Sequence, residues 1–363
     1  MTSMVPAATP TRLSDAERAA IDAAIRRVTV DGPWIGGAEV DGFEAEFGSY
    51  VGATHVVGCA SGTDAIVLAL MGLNVPGGSE VLVPAHDGGY AATAARLAGL
   101  VPVPVDVDAT RATPTVATLD AAAASTSPRA LIITHLHGDP VDLSEIDQWR
   151  RARGMLLIED CAQAHGARAG GRPVGSAGDA AAYSFYPTKN LGAIGDAGAI
   201  VFAHAEAAAR ARSLAQYGWD EHRRIDLAGG RNSRLDSLQA AVLRARLPFL
   251  DARNARRVTI RARYVREVPR LNFLGDGTGV AHHAVVRSTQ RDALLAHLSA
   301  CGIAPAIHYA VSVGDMPGLA IDAASTPQAR LLAGQIVSVP CTPELQDEEV
   351  DAVIAALSKW SGR

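Results

Sequence analysis

Through about residue 245 the chain alternates short, uniformly apolar runs with longer alanine-rich stretches whose apolar residues recur at helical spacing. Residues 56–59, 80–84, 101–105, 130–134, 155–158, 181–185 and 199–202 read as strands. Residues 62–73, 88–100, 143–153, 204–216 and 235–246 read as helices. Strands that are apolar on both faces and separated by helices predict an α/β fold whose sheet is covered on both sides. Past Leu250 the pattern changes. Residues 251–268 form an arginine-rich amphipathic helix of the kind that bridges two lobes. Strand-like 284–287 and 303–309 follow, with helices around 290–301, 327–334 and 347–360, which predicts a smaller α+β domain.

Composition narrows the class. With 363 residues, 48% hydrophobic and 20% charged, the chain can bury a large core and reads as globular. Its net charge is −5 and no basic tract interleaves with aromatics, which argues against nucleic acid as a partner. Cys59, Cys161, Cys301 and Cys341 are far apart, so neither a disulfide framework nor a zinc site is expected, and a cytoplasmic setting fits. The N-terminus lacks the apolar run of a secretory signal and reads as a frayed tail. The apolar stretch 97–107 is broken by Gly99, Pro102 and Pro104 and is too short to span a bilayer, so no membrane is expected.

The chemistry centres on Lys189, in the run Ala-Ala-Tyr-Ser-Phe-Tyr-Pro-Thr-Lys-Asn-Leu-Gly (181–192). Asp160 ends an apolar strand 29 residues earlier (189 − 160), room for a loop and a return strand, so both can reach one sheet edge. An amine that can form a Schiff base and a carboxylate that can hold a pyridinium nitrogen are what pyridoxal 5'-phosphate (PLP) needs from a protein. Burial among aromatic neighbours would ease loss of the lysine's proton.

Each accompanying residue also has a plainer reading. Ser61-Gly62-Thr63 opens a helix and can face an anion, or simply cap that helix. Asp160 can pair with a ring nitrogen or cap the next helix, and Gln163 can donate to a phenolic oxygen or face solvent. Ser184 can bond a phosphate or sit at a strand edge, and Tyr90 can stack on a flat ring or only pack. His135 and His137, placed on one strand face, have no acidic or cysteine partner at ligand spacing, so no metal is expected. Neither a Gly-x-Ser-x-Gly elbow nor a Walker loop nor Gly-x-Gly-x-x-Gly occurs in suitable context.

Taken together the segments resemble the DegT/DnrJ/EryC1/StrS sugar aminotransferases. The matching stretches are Gly-Pro-Trp-Ile-Gly-Gly (32–37) with Phe43-Glu44, Ser61-Gly-Thr-Asp-Ala65, Thr134-His-Leu-His-Gly138 and Glu159-Asp-Cys-Ala-Gln-Ala-His-Gly166. Ser184-Phe-Tyr-Pro-Thr-Lys-Asn190, Asn232-Ser-Arg-Leu-Asp236 and, more weakly, Gly302-Ile303 and His308-Tyr309 continue the likeness from about residue 15 to the end. The resemblance implies a fold-type I PLP-dependent transferase. It would have a flexible tail (1–14), a large αβα PLP-binding domain (15–248) with a mostly parallel sheet, and a small C-terminal α+β domain (249–363).

The resemblance also implies roles. Lys189 would carry the cofactor as a Schiff base and shuttle the proton, and Asp160 would keep the pyridine nitrogen protonated. Gln163 would bond the phenolic oxygen, Tyr90 would stack on the ring, and Ser61, Gly62, Thr63 and Ser184 would hold the phosphate. Asn232 would reach the phosphate in a neighbouring subunit, giving a homodimer with shared sites, and Trp34, His308 and Tyr309 would contact substrate. An amino donor, commonly glutamate, would leave pyridoxamine 5'-phosphate, whose amine passes to a keto-sugar, usually linked to a nucleotide. Departures fall near the acceptor: Asp87-Gly88-Gly89-Tyr90, His137 where tyrosine is usual, and Ala310 after His308-Tyr309. A keto-cyclitol acceptor, a sugar dehydratase and a non-catalytic PLP-binding regulator are the alternatives. The dehydratase reading is disfavoured because those relatives carry histidine at the position of Lys189.

Overall fold

The computed structural model describes residues 4–319, 321 and 325–362. Residues 1–3 of the expected tail, and 320, 322–324 and 363 of the expected small domain, lie outside the described residues.

Two helices precede the sheet, α1 (Asp15–Asp31) and α2 (Ala38–Val51). Ser14 caps α1 by accepting from the Glu17 N–H, and Ile21, Ala24 and Val28 form its single buried stripe. The sheet is built from β1 (His55–Cys59), β2 (Glu80–Pro84), β3 (Val101–Val105), β4 (Ala130–Thr134) and β5 (Leu156–Asp160). After a short hairpin of β6 (Arg168–Ala169) and β7 (Arg172–Pro173) it is completed by β8 (Ala180–Ser184) and β9 (Gly198–Phe202). Strand order is β1-β9-β8-β5-β4-β2-β3. Pairings among β3, β2, β4, β5 and β8 are parallel, and only β8/β9 and β9/β1 are antiparallel. The sheet is therefore mostly parallel, as its apolar strands predict.

The connecting helices are α3 (Gly62–Gly72), α4 (Tyr90–Leu97), α5 (Val116–Ala123), α6 (Ser144–Arg151), α7 (Ala205–Leu214) and α8 (Ser237–Arg246). Leu68 and Leu70 of α3 are fully buried on one side of the sheet. On the other, Phe43 and Phe47 of α2 meet Tyr183 and Phe185 edge-on, with ring centroids 5.0–5.3 Å apart. This aromatic block fixes the strand that leads into Lys189.

Helix α9 (Leu250–Glu267) gives Leu250 to that core, and Ile260 and Tyr264 to a second one. The second core covers an antiparallel sheet of β10 (Asn272–Phe273), β11 (Ala284–Arg287) and β12 (Ile336–Val339). Helices α10 (Arg291–Ala300), α11 (Pro327–Ala333) and α12 (Asp347–Lys359) complete this lobe. Residues 303–309, expected as a strand, make only isolated bridges, Val5 to Ile303 and Ala306 to Ser338. Pro305 removes a ladder donor there, and β12 takes the place instead. The segment expected as a loose tail packs from Val5 onward. Val5 is buried, its N–H donates to the Gly302 carbonyl, and the Thr9 and Thr342 hydroxyls meet at 3.0 Å. Among the described residues no helix is long and apolar enough to cross a membrane.

Candidate active site

The site lies at the carboxyl ends of β4, β5 and β8, against the start of α3. Parallel register sets Thr134 opposite Asp160, and the Thr134 hydroxyl donates to Asp160 Oδ2 at 3.2 Å. The Ala162 N–H donates to Oδ1 at 3.0 Å. Burial pushes the Asp160 carboxyl up, against the opposing pull of the Ala162 N–H, the Lys189 charge and the Thr134 hydroxyl. A cation held against Asp160 would return it to the carboxylate.

Lys189 follows β8 in a turn closed by its N–H to the Tyr186 carbonyl, 2.8 Å. Burial lowers its ammonium to about 8, with Asp160 pulling the other way. The chain has only one other lysine, Lys359, exposed at the end of α12.

At the other end of the cavity Ser61 caps α3, its Oγ accepting from the Asp64 N–H at 3.2 Å. A Cβ on Gly62 would stand 2.5 Å from the Ser184 Cβ, so only glycine lets the helix start pack on the end of β8. Asp64, one turn in, is bound by Arg231 and by the Ser233 hydroxyl at 2.8 Å. That leaves the N-terminal amides of α3, with Ser61, Thr63 and Ser184, as a cradle for an anion.

Ser61, Gly62, Thr63, Tyr90, Asp160, Gln163, Ser184, Lys189, His308 and Tyr309 all line one cavity of about 390 Å³. An anion cradle, a buried carboxylate and an amine with a lowered pKa stand in one space, the donor set that a phosphorylated pyridine aldehyde requires. The residues fit PLP. Gln163 is fixed by both ends of its amide: Oε1 accepts from the His137 N–H at 2.6 Å and Nε2 donates to the Tyr309 hydroxyl at 2.8 Å. Tyr90 starts α4, is half exposed, and meets Tyr309 edge-on at 5.8 Å.

Asn232 and Trp34 do not join this cavity within the chain. Asn232 bridges to Gln216, and Trp34 is 70% exposed, its carbonyl accepting from the Ser237 N–H. They flank a larger open groove of about 1230 Å³, lined by Ile35, Arg212, Trp219 and Arg234 among others, that contains no lysine.

Sequence reasoning missed Asp87, Thr134, His282 and His283, which also line the cavity. Asp87 is buried, accepts from the Gly89 and Ala91 N–H groups, and is pushed by burial up to about 7. His283 stacks on His308 at 3.7 Å, and burial holds both rings far below the usual histidine range, hence neutral. The adjacent His282-His283 pair was the one available signal in the sequence.

His135 and His137 do not share a strand face. The chain turns into a short 3-10 segment, Leu136–Gly138, with His137 at φ 60°. His137 bonds the His308 carbonyl at 2.9 Å, whereas His135 sits 3.0 Å from Glu159 with Cys161 nearby, so acidic and cysteine partners do approach it in space. Glu159 also accepts from the Gly175, Ala177 and Gly178 N–H groups. Burial works to raise this carboxyl, but His135 and those amides hold it below the usual range. The cluster reads as a buckle behind the sheet.

Residues 15–358 match the model of the DegT/DnrJ/EryC1/StrS aminotransferase family. A dTDP-3-amino-3,4,6-trideoxy-alpha-D-glucose transaminase of Streptomyces venezuelae is 41% identical over 356 residues, covering 95% of this chain and 93% of that protein. The erythromycin biosynthesis sensory transduction protein EryC1 of Saccharopolyspora erythraea is 40% identical over 353 residues, covering 94% and 95%. Among solved structures, S. venezuelae DesV in complex with a ketimine intermediate superimposes with a TM-score of 0.94 at 39% identity, covering all of both chains.

Proposed function

The chain belongs to the DegT/DnrJ/EryC1/StrS aminotransferase family, and from that premise we propose a PLP-dependent transaminase that moves an amino group from an amino acid, glutamate being the expected donor, to a nucleotide-linked keto-deoxysugar. The observation that carries the reading is Lys189 and Asp160 lining one cavity that ends on the amides of α3. The transaminase named for a dTDP-linked trideoxy sugar, 41% identical, supports the acceptor class.

PLP, when bound, supplies an aldehyde that captures amines and a ring that takes up electrons. Lys189 Nζ anchors it, and an amine that sheds its proton near pH 8 then takes and returns the proton at the substrate carbon. Asp160 would hold a proton at the ring nitrogen, Gln163 Nε2, which has a second hydrogen beside the one given to Tyr309, would donate to the phenolic oxygen, and Tyr90 would stack on the ring. Ser61, Gly62, Thr63 and Ser184 bind the phosphate. His308 and Tyr309, at the mouth, orient the acceptor.

A second copy completes the site in this reading. Trp34 and Asn232 lie outside their own cavity and beside a groove with exposed Ile35, which suits a homodimer in which Asn232 reaches the partner's phosphate site. Residues 15–248 act as the PLP-binding unit, residues 249–363 as the smaller one, and the enzyme works in the cytoplasm. A regulatory role is the second reading, favoured by the name of the EryC1 relative. Purified protein incubated with glutamate decides between them: loss of the visible band, then its return with one of a panel of nucleotide-linked keto-sugars, supports transamination. A band indifferent to every amino donor supports the regulator.

A further inference from the structure

The turn that carries Lys189 is tied to the smaller lobe by a chain of side-chain amides that can run in one direction only. Asn254 of α9 donates its Nδ2 to the His165 carbonyl at 2.8 Å, and a carbonyl can only accept. Its Oδ1 must then face Asn190, which donates Nδ2 to it at 2.7 Å and to the Val280 carbonyl at 3.2 Å. Asn190 is left with its Oδ1, which stands 2.8 Å from His282 Nδ1, so that ring nitrogen must carry the hydrogen. All three side chains are buried.

The direction of this chain fixes the other nitrogen of the ring. Burial first, then His283, Lys189, Arg257 and His308 around it, hold His282 well below the usual histidine range, hence neutral. With Nδ1 a donor, the Nε2 of a neutral imidazole is an acceptor. Among the described residues nothing bonds this Nε2, and the ring walls the cavity that holds Lys189. Lys189 Nζ has no hydrogen-bond partner within the described residues either. An unpaired acceptor and an unpaired amine face one space, and each is costly until it finds a partner.

We propose that His282 is a positioning residue for Lys189: its Nε2 accepts one hydrogen of the amine whenever that amine is free, and so turns the amine's lone pair towards the substrate carbon. The inference rests on the transaminase reading of the Lys189 site. No proton passes to the ring. The amine remains the base, and the ring sets its direction. Asn190 and Asn254 act through His282 by holding its tautomer.

The test is made on the PLP-free full chain labelled with [15N]lysine, in which Lys189 and Lys359 give the only two side-chain amine signals. A hydrogen bond that favours the charged amine raises its pKa, so His282→Leu is expected to lower the Lys189 midpoint by about one pH unit. His282→Gln, which offers an amide oxygen in place of Nε2, is expected to restore most of that loss. In wild type labelled with [15N]histidine, the signal that disappears in His282→Gln is expected to report the Nδ1–H tautomer. That reading carries the test should His282→Leu fail to fold. An Nε2–H tautomer, a Lys189 midpoint unmoved by His282→Leu, or an equal drop in both variants overturns the proposal. Failure of the PLP-loaded protein to take an amine from any donor instead overturns the transaminase reading and leaves the lysine titration standing.

Discussion

Gln163 Nε2 donates to the Tyr309 hydroxyl at 2.8 Å, tying the turn after β5 to the C-terminal lobe across the mouth of the cavity. Tyr309→Phe removes this bond and keeps the ring. A neutral hydrogen bond contributes about 0.5–1.5 kcal/mol, so KM for the acceptor should rise by between twofold and tenfold while kcat changes little. Steady-state kinetics at fixed donor measures the split.

Gly62 is held against Ser184. A methyl group there would stand 2.5 Å from the Ser184 Cβ and 3.0 Å from its Oγ, so the start of α3 must shift. Overpacking of this kind costs about 1–3 kcal/mol. Gly62→Ala is expected to weaken PLP binding at least tenfold, read by absorbance titration of stripped enzyme, with a lowered Tm.

Lys189 near 8 in the folded chain, against an ordinary value of 10.5, gives a defined pH dependence. Between those values the unfolded chain binds the proton and the folded chain does not, so stability of the PLP-free protein rises with pH across this window. The slope is at most about 1.4 kcal/mol per pH unit. Below pH 8 that contribution is absent. Lys189→Met should be more stable than wild type at pH 7.5, with the gap closing towards pH 10.5, as followed by urea denaturation.

Behind the sheet, His135→Ala removes a ring whose Nε2 faces Glu159 and whose Nδ1 accepts from the Val141 N–H at 3.0 Å. Both lost partners are buried, so a destabilisation of about 3–5 kcal/mol is expected. The check is whether protein that does fold retains its visible PLP band.

The strands around the site were legible because the central strands of a covered sheet are apolar on both faces, and six of the seven expected strands match within a residue or are shifted by one. Helices α1, α2 and α5 were not, since α1 buries a single stripe of Ile21, Ala24 and Val28 among charges and alanines. Asp160 and Lys189 could be found because one ends an apolar strand and the other lies in the turn after one. His282 and His283 were harder to find: they sit in a connection, and their place on the cavity depends on how the segment before β11 docks on the turn after β4, where the Val280 and His283 N–H groups donate to the Gly138 and His137 carbonyls. Asp87 was visible beside the Gly88-Gly89 pair, but its place on the cavity wall, shared with Tyr309 from far along the chain, comes from the tertiary fold.

Reduction of the purified holoenzyme with borohydride, then peptide mass mapping, tests the central claim most directly, because only Lys189 and Lys359 carry side-chain amines that could hold the cofactor. The expected result is a pyridoxyl phosphate adduct on the peptide containing Lys189, and its loss in Lys189→Ala together with turnover, by several orders of magnitude, in a protein that still folds. An adduct on Lys359 alone, or none on any peptide, would contradict the account.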